Sequence, residues 1–217
     1  MAQFAVIGLG SFGLQVARRL AANGGEVLAV DVARNLVDEA KDVVGRAVIA
    51  DATEGRALAE LGLEAMDAVL VCLGSIESSV LTVLHLRELN ARRIVAMAVS
   101  QDHAKILNSL GAHRVIYPEM DAAERLANSL SWGNVLDNVP LAPGYSMLEA
   151  AAPDEMVGKT LKEAGLGARY GVQVIAVKEL VPDRFNLAPR ANFVIKDSDI
   201  LILLGRDQDL ERFKRGE

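Results

Sequence analysis

Six short apolar runs, interleaved with helix-like stretches, fill the first 118 residues of the chain. They read QFAVIG (3–8), EVLAVD (26–31), RAVIAD (46–51), DAVLVCLG (67–74), RIVAMAV (93–99) and RVIYP (114–118). Each is rich in Val, Ile and Ala and alternates little with polar residues, the pattern of strands covered on both faces. Between them the spacing turns helical: Phe12, Val16 and Leu20 form one stripe. Strand and helix alternating in this way predict an α/β fold, a Rossmann-like doubly wound parallel sheet with right-handed crossovers. Gly24-Gly25 and Gly62 are expected helix ends, and Thr53 and Asp102 expected N-caps.

After residue 132 the rhythm changes. The stretch 132–155 holds three of the six prolines and no long helical pattern. Then come MVGKTLKEAGL, a short helix, GVQVIAVKEL, a strand, and a tail in which the polar turn KDSD precedes a last strand. This predicts a small α+β domain, with residues 1–134 forming the first domain and 135–217 the second.

The formal net charge of −6, with no basic stripe, argues against nucleic acid and against direct attraction to anionic lipid. The longest apolar runs, such as AVLVCL (68–73) and ILILL (200–204), fall far short of a membrane span. No signal peptide is expected, and a cytoplasmic location follows. Cys72 is the only cysteine, which excludes an internal disulfide and a cysteine zinc site.

The first strand runs into GLGSFG, which places Gly8, Gly10 and Gly13 in a G-x-G-x-x-G turn that opens a helix. Gly8 permits the tight turn, Gly10 lets a phosphate approach the backbone, and Gly13 lets helix and strand lie close. Free N–H groups at the helix start would face the phosphates. Asp31 ends the next strand, 18 residues after Gly13, near the spacing of an acid that binds ribose hydroxyls. Its charge would repel a 2′-phosphate, so NADP is disfavoured. Asp51, Ala52 and Thr53 end the third strand and Gly74 follows the fourth, on the same carboxyl edge. Thr53 is either a ligand contact or a helix cap, and Gly74 either a ligand contact or a turn.

A reactive group is harder to find. His85 and His103 fall in expected helices and His113 just before a strand, none with a partner at motif spacing. A nucleotide site without visible chemistry points to a sensor. The alternative is an NAD-dependent oxidoreductase.

GLGSFG (8–13), Asp31, DAT (51–53), YPEMDAAERLA (117–127) and LAPRANFVIKDSDILILLG (187–205) together resemble the RCK family, cytoplasmic regulators of bacterial potassium uptake of the Ktr and Trk types. One copy of the domain pair is similar to a Ktr-type subunit. The resemblance implies an ATP, ADP or NAD(H) ligand held by Gly8, Gly10, Ser11, Phe12, Gly13, Asp31, Asp51, Ala52, Thr53 and Gly74. It places Glu119 near the nucleotide phosphates, where it would help hold a divalent cation; on its own position Glu119 is equally a first-turn helix acid. It implies a homodimer clasped by residues 119–139, with Trp132 either in that joint or in ordinary packing, and an octameric ring acting on a membrane potassium transporter. Cyclic di-AMP is the ligand implied for the C-terminal domain. ATP-sensing Ktr subunits often carry arginine where this chain has Ser11, whose side chain is too short to reach a terminal phosphate.

Overall fold

The computed structural model describes residues 1–131 and 135–217, so Trp132 lies outside the described residues. The chain divides into two compact units, Met1–Glu119 and Met120–Glu217.

The first unit alternates β1 (Gln3–Ile7), α1 (Ser11–Ala22), β2 (Glu26–Asp31), α2 (Arg34–Lys41), β3 (Arg46–Ile49), α3 (Gly55–Ala59), β4 (Ala68–Val71), α4 (Ile76–Glu88), β5 (Ile94–Met97), α5 (Gln101–Ser109) and β6 (Arg114–Ile116). The strands pair in parallel in the order β3-β2-β1-β4-β5-β6. This is the expected doubly wound sheet. Period two along the strands divides the apolar residues between the two faces. Ala5, Ile7, Leu28 and Val30 join Leu58, Val83, Leu86 and Leu107 of α3, α4 and α5. Val6, Val27 and Ala29 join Leu14, Ala17, Val37 and Ala40 of α1 and α2. Each large side chain buried this way contributes about 1.5–3 kcal/mol, and two covered faces give the nearly unbroken apolar runs.

Local signals differ from expectation at three caps. Glu60, not Gly62, is the C-cap of α3, and Gly62, at φ +72°, instead opens a short 3₁₀ turn over Leu63–Ala65. Glu54 is the N-cap of α3 rather than Thr53, because the Asp51 side chain has already folded residues 51–53 into their own turn. Ser100 caps α5, its Oγ accepting the His103 N–H, and Asp102 sits in the first turn. Cys72 lies one residue beyond β4.

α6 (Pro118–Ser131) crosses the division, and most of it counts with the second unit, whereas the sequence placed the division at 134. That unit continues with β7 (Val135–Ala142), β8 (Tyr145–Ala151), α7 (Leu161–Ala164), α8 (Leu166–Tyr170), β9 (Gln173–Leu180), β10 (Asp183–Leu187), β11 (Asp199–Arg206) and α9 (Asp207–Arg215). The sheet is antiparallel in the order β10-β9-β11-β8-β7. The β7–β8 hairpin was not expected. β7 is an edge strand with Asp137, Asn138 and Pro140, a composition only an edge tolerates. The helix α9 also escaped, since its buried side holds just two apolar residues, Leu210 and Phe213, beside Lys214. Among the described residues no helix is long and apolar enough to cross a membrane.

Candidate functional site

The three glycines of the first turn have three different reasons. Gly8 sits at φ +91°, and a Cβ there would lie 2.6 Å from the Cys72 carbonyl oxygen. A Cβ on Gly13 would fall 1.9 Å from the Gly8 carbonyl oxygen, so the helix start rests on the strand end. Gly10 has ordinary extended backbone, φ −61° and ψ −176°, and nothing within 4 Å of a Cβ. The space beside Gly10 is open.

Gly10 is also the N-cap of α1 and brings no side chain to it, and the first turn holds no acid. The Leu14 N–H donates back to the Gly10 carbonyl at 3.0 Å. The amides of Ser11, Phe12 and Gly13 precede that bond and have no acceptor within the helix. Their partial positive charge is left for an anion.

Asp31 braces this loop. Its Oδ2 accepts the Leu9 N–H at 2.7 Å and its Oδ1 the Ala33 N–H at 2.8 Å. Each carboxylate oxygen keeps a further lone pair for a hydroxyl donor. At the end of β3, Asp51 Oδ1 accepts both the Thr53 N–H (2.9 Å) and the Thr53 hydroxyl (2.7 Å), which hold its carboxyl below the usual carboxylate range. A cleft of about 90 Å³ beyond the strand ends is lined by Gly8, Asp31, Asp51, Ala52, Thr53 and Ser78, among others. Five of the residues singled out in the sequence therefore meet at one place. Gly10, Ser11, Phe12 and Gly13 follow from Gly8 at its margin. A larger hollow, about 580 Å³, lies in the second unit and contains none of them.

The structure leaves two candidates apart from the cleft. Gly74 is exposed in the loop after β4, before α4, which Ser75 caps by accepting the Ser78 N–H. Glu119 is exposed in the first turn of α6. It follows β6, three strand positions from β1, roughly 14 Å at the usual strand spacing. Among the described residues no three His, Cys, Asp or Glu side chains stand together as a metal site.

The histidines have partners that spacing did not reveal. His103 is fully buried; its Nδ1 accepts the Val99 N–H at 3.3 Å. Nε2 therefore carries the proton and donates to Ser79 Oγ at 2.7 Å, and that hydroxyl donates to the Ile76 carbonyl at 3.0 Å. A ring wired this way cannot take the serine proton, so the pair is structural. Burial holds His103 below the ordinary imidazole value. Its neutral form thus stabilises the fold fully above about pH 6.5. That contribution declines as pH falls towards the lower folded value. The melting temperature is expected to drop between pH 7.5 and 5.5 more steeply in the wild type than in His103→Gln. Equal slopes in thermal scans would remove His103 as the cause. Burial likewise pushes the Cys72 thiol up to about 12, away from thiolate chemistry.

Two family models cover most of the chain: the TrkA-N domain matches residues 4–118 and the TrkA-C domain residues 147–215. The chain belongs to the RCK family of TrkA-N and TrkA-C proteins. Full-length relatives agree. Ktr system potassium uptake protein C of Bacillus subtilis is 37% identical over 98% of this chain and 96% of its own length. The Ktr system potassium uptake protein A of Vibrio alginolyticus is 34% identical over 96% and 94%. Among solved structures, the GsuK RCK domain is similar in fold, with TM-score 0.55 and 22% identity over 99% of this chain. The GsuK channel bound to NAD gives TM-score 0.56 and 23% identity, again over 99%. This chain spans 46% and 38% of those two longer chains.

Proposed function

We propose that this RCK chain is the nucleotide-sensing regulatory subunit of a potassium uptake system and not an enzyme. The observation that carries the reading is the cleft at the carboxyl ends of β1, β2 and β3. It unites Gly8, Asp31, Asp51, Ala52 and Thr53 beside the uncapped start of α1. An adenine nucleotide, ATP, ADP or NAD(H), suits it: amides for phosphate, a braced carboxylate for ribose. The GsuK channel, similar in fold, binds NAD, which supports the ligand class. Potassium comes from the Ktr relatives, which align with this chain end to end.

Such a subunit works by population shift. The nucleotide favours one arrangement of an assembly, and the assembly acts on a membrane potassium transporter of the Ktr or Trk type at its cytoplasmic face. α6 suits a homodimer surface. It exposes Met120, Leu126 and Leu130, the last 77% exposed; Leu126 and Leu130, four positions apart, share one helix face, and exposed apolar surface of this kind suits partner contacts. Dimers closing into an octameric ring would give the gating unit. Glu119 would supply one carboxylate to a divalent cation on the nucleotide phosphates, given a geometry in which a partner chain or the ligand reaches it. The second unit is the place for cyclic di-AMP.

Calorimetry with ATP, ADP, NAD and NADH, paired with sedimentation of the same samples, tests this. The expected result is saturable binding of at least one nucleotide by a dimer or larger species whose distribution shifts with ligand. A monomer that binds none of the four would overturn the reading.

A further inference from the structure

The turn that forms one wall of the cleft is held from behind by α4. Thr82 Oγ1 lies 3.1 Å from the Ala52 carbonyl oxygen and 2.7 Å from that of Ser78. One turn further along the same helix face, His85 Nε2 lies 3.1 Å from the Thr53 carbonyl oxygen. A carbonyl only accepts, so Nε2 carries a proton and donates. The ring is packed tightly there: a Cβ on Gly55 would fall 3.0 Å from His85 Nδ1. The other ring nitrogen stands 3.3 Å from Glu88 Oε2, a contact that becomes a hydrogen bond only when Nδ1 also carries a proton, so the Thr53 bond does not depend on it. The side chain is 23% exposed, so it closes the outer end of this contact rather than filling the core.

These contacts decide where the 51–53 turn points. Asp51 already binds Thr53 through its side chain, so residues 51–53 move as one piece. That piece meets α4 through the carbonyls of Ala52 and Thr53. Thr82 divides its single proton between two acceptors. The imidazole donor is not divided: among the described residues the Thr53 carbonyl is the acceptor that Nε2 has.

We infer that His85 is a positioning residue of the nucleotide site: its Nε2–H, held on the Thr53 carbonyl, sets Asp51, Ala52 and Thr53 against the bound nucleoside without touching it. The inference rests on the nucleotide reading of the cleft. It concerns a residue outside the lining, and no ligand contact is asked of it.

The chemistry of the amide analogues separates positioning from packing. A glutamine amide reaches about where Nε2 is and can donate to Thr53; an asparagine amide stops near Nδ1 and cannot. Nucleotide affinity is measured by calorimetry for wild type, His85→Gln, His85→Asn and His85→Leu, using whichever of ATP, ADP, NAD or NADH binds the wild type. Gln is expected to stay within about twofold of wild type, and Asn and Leu to weaken binding about three- to tenfold, the range of one hydrogen bond. Hydrogen exchange of the amides at 51–55 in the unliganded proteins should speed up in Asn and not in Gln. Asn and Gln behaving alike in both measurements, or Leu binding as wild type does, overturns the inference and leaves the nucleotide reading standing. Wild type binding no nucleotide removes both. Where Leu fails to fold, the Gln–Asn comparison alone decides.

Discussion

Gly13→Ala is expected to cost the first unit at least ~3 kcal/mol, the upper range for overpacking a site that cannot relax. The added methyl would sit 1.9 Å from the Gly8 carbonyl oxygen and 3.1 Å from Cys72 Cβ. Neither neighbour is the loose end of a flexible side chain. The oxygen belongs to backbone at the end of the central strand, where the adjoining Gly8 N–H is bonded to Val30 at 2.8 Å. Relief requires α1 to lift from β1, and lifting it opens the apolar layer that holds Leu14, Ala17, Val37 and Ala40. Against a total stability of about 5–15 kcal/mol for a domain, that is a large fraction. Urea unfolding followed by circular dichroism should show the lower transition midpoint moved down or the native signal lost at zero denaturant. A midpoint equal to wild type would mean that helix and strand are not in contact there.

The sheet was legible because burial on both faces leaves a plain mark. β1, β2 and β4 have few polar residues to blur their limits, and the expected and observed spans differ by a residue or a few at the ends. The glycine turn and Asp31 were legible because their constraints are local in sequence or set by one βαβ unit. The β7–β8 hairpin was not, because an edge strand is free to carry Asp, Asn and Pro, and those residues read as loop. Contacts between elements were not legible either. His103 meets Ser79 across 24 positions, and His85 meets Thr53 across 32, with no periodicity to announce the meeting. The signal on offer was a set of polar residues, Ser79, Thr82 and His85, on a helix whose buried side also holds Val83 and Leu86. Thr53 shows the same limit from the other side. A threonine before a helix is a good cap in isolation, but the side chain of Asp51 engages its hydroxyl and amide first.

Gly10→Val should do the opposite of Gly13→Ala: leave the fold and remove the ligand. The backbone at Gly10 is extended, a conformation open to branched residues, and a Cβ there meets no atom within 4 Å. The fold cost is confined to a poorer N-cap, about 1 kcal/mol. The isopropyl group would instead occupy the space over the free amides of Ser11, Phe12 and Gly13, where an anion has to come within hydrogen-bond distance. Hydrogen bonds to a charged group contribute about 1.5–3 kcal/mol each. The loss of even one or two weakens binding on the order of 100-fold, since ~1.4 kcal/mol is a factor of ten. Circular dichroism and the unfolding midpoint should therefore stay near wild type while calorimetric titration with the nucleotide goes flat. The two substitutions make a matched pair in one six-residue loop, GLGSFG. If Gly10→Val bound nucleotide with wild-type affinity, the open space beside Gly10 would not be the phosphate's approach, and the turn would serve only to pack α1 on β1.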